Sequence, residues 1–290
     1  MLPLPSSGQA HFTVAFSPCG RWLAAGGSEY AVDLWDLQAP HEPARRLQNQ
    51  GGPILRTAFA PTGRLVAVST QWIQTFDPVT PTMYTARRVI TVRRAAIAPD
   101  ARTYVLCNPI LSQQGLDISD HWLDWSQDDL PGEVLDVAVM GDGRVLTARV
   151  WPAGGGLLDV RNRKRGECLD SMPVTGRPHR VACSADGALA ATIANGNMSV
   201  WNLTARKAVA DRAQATHGGW LSVAFDPHGR RVVTGGIDGT VAVWGAATDA
   251  PPFTTFQWCV GPVYAVAFDA DGLRAAAAGH AGAIVWDADE

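Results

Sequence analysis

Short apolar runs and glycine-ended turns alternate along the whole chain, with no long amphipathic stretch between them. Phe12-Thr-Val-Ala-Phe16, Trp220-Leu-Ser-Val-Ala-Phe225 and Val263-Tyr-Ala-Val-Ala-Phe268 are apolar at nearly every position, which predicts strands covered on both faces. Each leads into a turn such as Ser17-Pro-Cys-Gly20 or Asp226-Pro-His-Gly229 and then into a second strand, as in Arg231-Val-Val-Thr-Gly235. A third run, Thr240-Val-Ala-Val-Trp244, alternates inward and outward. Between the last two, Asp238-Gly239 reads as a two-residue hairpin, because a tight turn needs positive φ, which Gly and Asp tolerate. The turn position recurs at Gly20, Gly63, Ala101 (where glycine is replaced), Gly143, Gly187, Gly229 and Gly272. The steps are 43, 38, 42, 44, 42 and 43 residues.

A second marker keeps the same period. Val32-Asp-Leu-Trp-Asp36, Ser199-Val-Trp-Asn202, Val241-Ala-Val-Trp244 and Ile284-Val-Trp-Asp287 each place a Trp at the end of the third strand. At the same register the weaker repeats have Phe76, Ser119 and Arg161. A period of about 40 to 45 residues is that of four-stranded propeller blades, so the expected fold is all-β: one seven-bladed β-propeller of four-stranded antiparallel blades spanning residues 1–290. With both markers in phase, residues 11 to 287 resemble the WD-repeat family, whose repeats end in Trp-Asp and whose blades stack around a channel. The motifs are strong in repeats one, five, six and seven; repeats two, three and four rest on spacing.

The resemblance carries three structural expectations. The seventh repeat reaches Trp286-Asp-Ala-Asp-Glu290 without a fourth strand, and in the family the amino terminus commonly supplies it. Residues 1–8 are then the closing outer strand, with Pro3 and Pro5 facing solvent and blocking edge pairing; an edge completed by a partner's strand is the alternative. In the family a His, a Ser/Thr, an Asp and the terminal Trp form a hydrogen-bonded tetrad within a blade. Only the sixth repeat matches throughout, with His217, Thr234, Asp238 and Trp244, read as a structural device rather than a catalytic one. The equivalent hairpin positions elsewhere are Glu29, Thr70, Gln113, Gly155, Asn195 and His280, so most blades are expected to hold together by packing.

Composition alters the picture only slightly. Nearly half of the residues are hydrophobic and 18% are charged, with 29 glycines and 19 prolines punctuating the turns. No apolar run approaches the roughly 18 to 20 residues that span a bilayer, and Met1-Leu-Pro-Leu-Pro-Ser-Ser-Gly8 is a poor secretory signal. Five cysteines, Cys19, Cys107, Cys168, Cys183 and Cys259, lack C-x-x-C spacing and read as free thiols of a reducing, cytoplasmic compartment. The seven histidines show no ligand spacing, so no metal site and no cofactor are expected. No nucleophile elbow, zinc-protease helix or phosphate-binding loop is present, and no catalytic residue is assigned.

Charge leaves two local features. Arg161-Asn-Arg-Lys-Arg165, with Arg87-Arg88 and Arg93-Arg94, could meet phosphate backbones, but the net charge of −3 argues against general nucleic-acid binding. These read as solvated turn residues. The stretch from Asp117 to Asp129, with Trp122 and Trp125, reads as an irregular outer strand or a lateral docking strip.

The repeat register gives the functional expectation. In the family, residues at the start of the inner strand surround the channel mouth and commonly contact partners. Here those are Phe12, Leu55, Arg93, Leu135, His179, Leu221 and Tyr264, a mostly apolar ring suited to a protein or peptide, unless some of them pack between blades. The expected function is therefore a non-enzymatic protein–protein interaction scaffold, a subunit of a larger cytoplasmic complex with no membrane partner. A nucleoprotein-complex subunit, or a small-ligand sensor or propeller enzyme, is the alternative.

Overall fold

The computed structural model describes residues 1–5, 8–49, 51–89, 92–98, 103–108, 110–116, 122–127, 132–151, 154–162, 166–212 and 218–288. Among them are twenty-eight strands and no helix, in seven four-stranded antiparallel sheets. The innermost strands are His11–Phe16, Ile54–Phe59, Arg94–Ile97, Glu133–Val139, Pro178–Cys183, Trp220–Phe225 and Val263–Phe268. Each lies beside the next, and the seventh lies beside the first, so the blades form a ring. Four antiparallel strands return the chain to the face where it started. Every inner strand therefore begins on one face, called here the mouth face, which also carries the loops between second and third strands.

The turns between first and second strands lie on the opposite face and are nearly identical. In six of them the glycine N–H donates to the carbonyl three residues earlier, from Gly20 to Ser17 through Gly272 to Asp269, at 2.8–3.2 Å. These glycines have φ between +67° and +85°, a left-handed conformation that side chains other than glycine tolerate poorly. The seventh turn residue, Ala101, lies outside the described residues.

The hairpin at Asp238-Gly239 differs from expectation. The connection is three residues long, Ile237-Asp238-Gly239, since Gly236 ends one strand and Thr240 begins the next. Gly239 donates to Gly236 O at 3.3 Å and takes φ +87°, while Asp238 is not left-handed. This is a turn closed by a glycine bulge. Two-residue hairpins occur instead in blade five, where Ala194 pairs with Asn197 across Asn195 (φ +49°) and Gly196 (φ +81°), and in blade seven, where Gly279 pairs with Gly282.

The core is not a single interior but seven layers, one at each contact between neighbouring blades. Trp22, Leu34 and Leu47 of blade one meet Ile54, Phe59 and Phe76 of blade two. Val14, Leu23, Ala25 and Trp35 meet Ala265, Ala276, Ala278 and Val285 of blade seven, which closes the circle. Burial on both faces explains the near-continuous apolar runs, and the alanines of Ala275–Ala278, fully buried, let blades approach closely.

The ring is stapled at the same seam. Leu2 and Pro3 pair with Val285 and Ile284 on the outer edge of blade seven, and Leu4 donates to Ala283 O at 3.0 Å. Leu4 is buried while Pro3 is exposed, and because the Leu4 N–H points into the ladder the imide nitrogen of Pro3, one residue earlier, faces away from it. Pro5, half-buried, accepts the indole N–H of Trp35 at 3.3 Å. The strand is thus Leu2–Pro3 within the segment 1–8 from which it was expected, of which residues 6 and 7 lie outside the described residues.

The third-strand marker occupies one register throughout. Trp35, Phe76, Arg161, Trp201, Trp244 and Trp286 each pair with the equivalent residue of the second strand, from Leu23 to Ala275; Ser119 lies outside the described residues. Arg161 corrects the sequence reading. It is the last residue of a strand, only 1% exposed, and not a solvated turn residue. Its guanidinium meets Asp159 Oδ2 at 2.8 Å, joined by Arg149 Nε at 2.5 Å, while Ser171 Oγ donates to Asp159 Oδ1 at 2.7 Å. Blade one has a related network at the same register. Its Asp33, also fully buried, receives Gln9, His11 Nε2 at 3.0 Å and Arg46 Nε at 3.1 Å. These blades hold together by buried polar networks as well as by packing.

Candidate functional site

The inner strands meet around a central channel holding a cavity of about 340 Å³. Its walls follow from one local irregularity repeated around the ring. In blades one, two, four, five, six and seven the inner strand carries a β-bulge, so that Phe12, Leu55, Leu135, His179, Leu221 and Tyr264 have no partner in the ladder. In blade three the Arg93 N–H donates to Cys107 O at 2.8 Å while Arg94 pairs with the same residue, again two residues opposite one. The seven residues singled out from the repeat register are thus the seven bulge residues. A bulge bends the strand and re-aims a side chain at the edge of a sheet, here at the channel mouth.

Their exposures differ. Phe12 and Tyr264 are half-buried and pack edge to face, with ring centroids 5.6 Å apart, and Leu55 and Leu221 are also half-buried. Arg93 is exposed, whereas Leu135 is buried at 7% and offers little to a partner. Burial, with Arg180 beside it, holds the His179 imidazole below its ordinary pKa. Around this ring the second-to-third-strand loops present three exposed apolar side chains, Tyr30, Trp151 and Ile237.

The residue after each bulge forms a second ring, one that the sequence reading passed over: Thr13, Arg56, Arg94, Asp136, Arg180, Ser222 and Ala265. Two residues further on, every blade has alanine (Ala15, Ala58, Ala96, Ala138, Ala182, Ala224 and Ala267), and five of these line the cavity. Small side chains there leave the channel open below the charged ring. The charges lie on one arc, blades two to five. Arg56 Nη2 reaches Asp136 Oδ1 at 3.2 Å across blade three, and the Val181 N–H donates to Asp136 Oδ2 at 3.0 Å. Arg94 Nε donates to Leu135 O at 2.7 Å, and Arg180 Nη1 to His179 O at 3.2 Å. The signal was present in the sequence as charged residues within Ile54-Leu-Arg-Thr-Ala-Phe59 and Pro178-His-Arg-Val-Ala-Cys183, at a position where blades one, six and seven have the uncharged Thr13, Ser222 and Ala265.

Of the tetrad expected in blade six, one link lies among the described residues, the indole-to-hydroxyl bond. Trp244 Nε1 donates to Thr234 Oγ1 at 2.9 Å, and Asp238 Oδ1 accepts the Thr240 N–H at 3.0 Å; His217 lies outside the described residues. Blade five makes the same indole-to-hydroxyl bond, Trp201 to Thr192, at 2.9 Å.

The remaining candidates do not converge. Arg87 and Arg88 sit on the outer edge strand of blade two, Arg93 and Arg94 at the channel, and Arg161 inside blade four, so these cations share no face. Residues 163–165, and the side chains between Asp117 and Asp129, lie outside the described residues. Among the described residues no three His, Cys, Asp or Glu side chains stand together as a metal site.

In comparison with known proteins, residues 7–36 and 213–245 match the WD domain, G-beta repeat family. These segments fall in repeats one and six, both among the four with a terminal Trp. No curated protein matches the chain.

Proposed function

We propose that the chain, a seven-bladed propeller with two segments that match the WD repeat, a domain that generally mediates protein–protein interaction, is a non-enzymatic scaffold that docks a protein or peptide on its mouth face, as a subunit of a larger cytoplasmic complex. One observation carries the reading: the bulged ring containing Phe12 and Tyr264 shares a face with exposed Tyr30, Trp151 and Ile237. Aromatic anchors around a concave centre, with Arg93 at the rim, are the composition from which interface hot spots are made. The opposite face has exposed apolar side chains of its own, Val79, Phe253 and Leu273, but they are set among the repeated glycine turns and surround no bulged ring.

The test compares two variants. Phe12→Asp/Tyr264→Asp alters the mouth face, and Leu273→Asp, at an exposed leucine of the opposite face, is the control. With fold checked by circular dichroism, partners recovered by affinity purification from the native host are expected to be lost from the first and retained by the second. Retention by both would remove the mouth face as the interface.

A further inference from the structure

We infer that the central channel binds a small phosphate-class oxyanion, gripped by Arg56, Arg94 and Arg180. Arg56 and Arg180, from blades two and five, line the central cavity with Asp136 as the one carboxylate among its lining residues, and Arg94 of blade three stands at its mouth, close enough to act on Arg180. Asp136 is committed to Arg56 and to the Val181 N–H. Arg94 and Arg180 are anchored only to carbonyls, those of Leu135 and Arg93 for the first and of His179 for the second. Carbonyls orient a guanidinium without neutralising it. Three cations against one anion leave an excess of two positive charges across the cavity and its mouth.

Such an excess is unfavourable where water is restricted, because like charges repel and the desolvation of each is uncompensated. The effect is visible on Arg180. Burial, opposed by Asp136 and reinforced by Arg56 and Arg94, lowers its guanidinium below the ordinary range. A bound anion removes the imbalance. The planar forks of arginine suit a tetrahedral oxyanion, which presents several acceptors to donors arriving from different blades, better than a spherical chloride. The cavity of about 340 Å³ is of small-molecule size, within the roughly 300–1,000 Å³ common for ligand sites. The alanine ring and the bulges together make the space, the one by omission of bulk and the other by setting the guanidiniums one step inside the mouth. The inference stands independently of what docks outside.

The test is scanning calorimetry of the full chain in sodium phosphate against sodium chloride at equal ionic strength and pH 7.5. Phosphate at tens of millimolar is expected to raise the melting temperature by about 2–5 °C over chloride. Arg180→Gln and, separately, Arg94→Gln are expected to abolish most of that shift. Asp136→Asn, which removes the competing carboxylate, is expected to enlarge it. Opposite signs from neighbouring substitutions separate binding from general damage to the fold. Equal melting temperatures of the unsubstituted protein in the two salts would overturn the inference. So would a full phosphate shift in both arginine variants, each shown folded by circular dichroism.

Discussion

Replacing Asp159 by alanine tests whether blade four, which has arginine where four other blades have tryptophan, is held by its buried ion network. Asp159 is fully buried and accepts hydrogen bonds from Arg149 at 2.5 Å, Arg161 at 2.8 Å and Ser171 at 2.7 Å. Both arginine side chains are nearly inaccessible, at 7% and 1%. Asp159→Ala removes the carboxylate that the two guanidiniums share, and breaking a buried pair by deleting one partner costs about 3–5 kcal/mol. Arg161→Leu is a gentler change, because Asp159 keeps Arg149 and Ser171 and the remaining pair is balanced. Its expected cost is about 1–2 kcal/mol. Urea unfolding followed by tryptophan fluorescence at neutral pH measures both.

The network also fixes the sign of a pH effect. Burial raises the Asp159 pKa, but the bonds from Arg149, Ser171 and Arg161 outweigh it, and the carboxyl is held below its ordinary range. Its contribution is therefore complete above the unfolded carboxyl pKa of about 3.9 and lost as pH falls through the lower folded value. The gap between the unsubstituted protein and Asp159→Ala should narrow below about pH 4. An Asp159→Ala protein within about 1 kcal/mol of the unsubstituted one at pH 7, or one more stable than Arg161→Leu, would refute the reasoning.

Three further outcomes are expected. Removing residues 1–5 takes away buried Leu4 and the hydrogen bonds of Leu4 and Pro5 to Ala283 and Trp35; a loss of about 3–5 kcal/mol in urea unfolding is expected, and an unchanged midpoint would deny the strand its stapling role. Iodoacetamide at pH 8, with modified peptides identified by mass spectrometry, should label exposed Cys19 first, because its hydrogen bond with Ser17 lowers the thiol pKa; Cys183, pushed up to about 12 by burial, and buried Cys107 should react only in denaturant. Gly27→Ala should prevent soluble expression or lower the melting temperature sharply, since a Cβ there would lie 1.6 Å from Ala10 O. Gly63→Ala, with open space but φ +84°, should cost only about 1 kcal/mol.

What the sequence determined by itself is whatever depends on period and local chemistry. The spacing of Gly20 through Gly272 and of Trp35 through Trp286 specified blade number, strand order and phase, because each blade is one local meander whose turns need glycine and whose covered strands need apolar residues. It also located the bulge residues from Phe12 to Tyr264, since they stand at a constant distance from the end of each inner strand. Tertiary structure decided what depends on neighbours distant in the chain. Arg161 looks like part of a basic turn until folding places it against Asp159 and Arg149. Arg56 and Asp136 stand 80 positions apart and become an ion pair only when the ring carries blade three between them. The charged arc has the same cause: a strand records which residue follows its bulge, but only the closed ring brings seven such residues around one channel, where their charges sum.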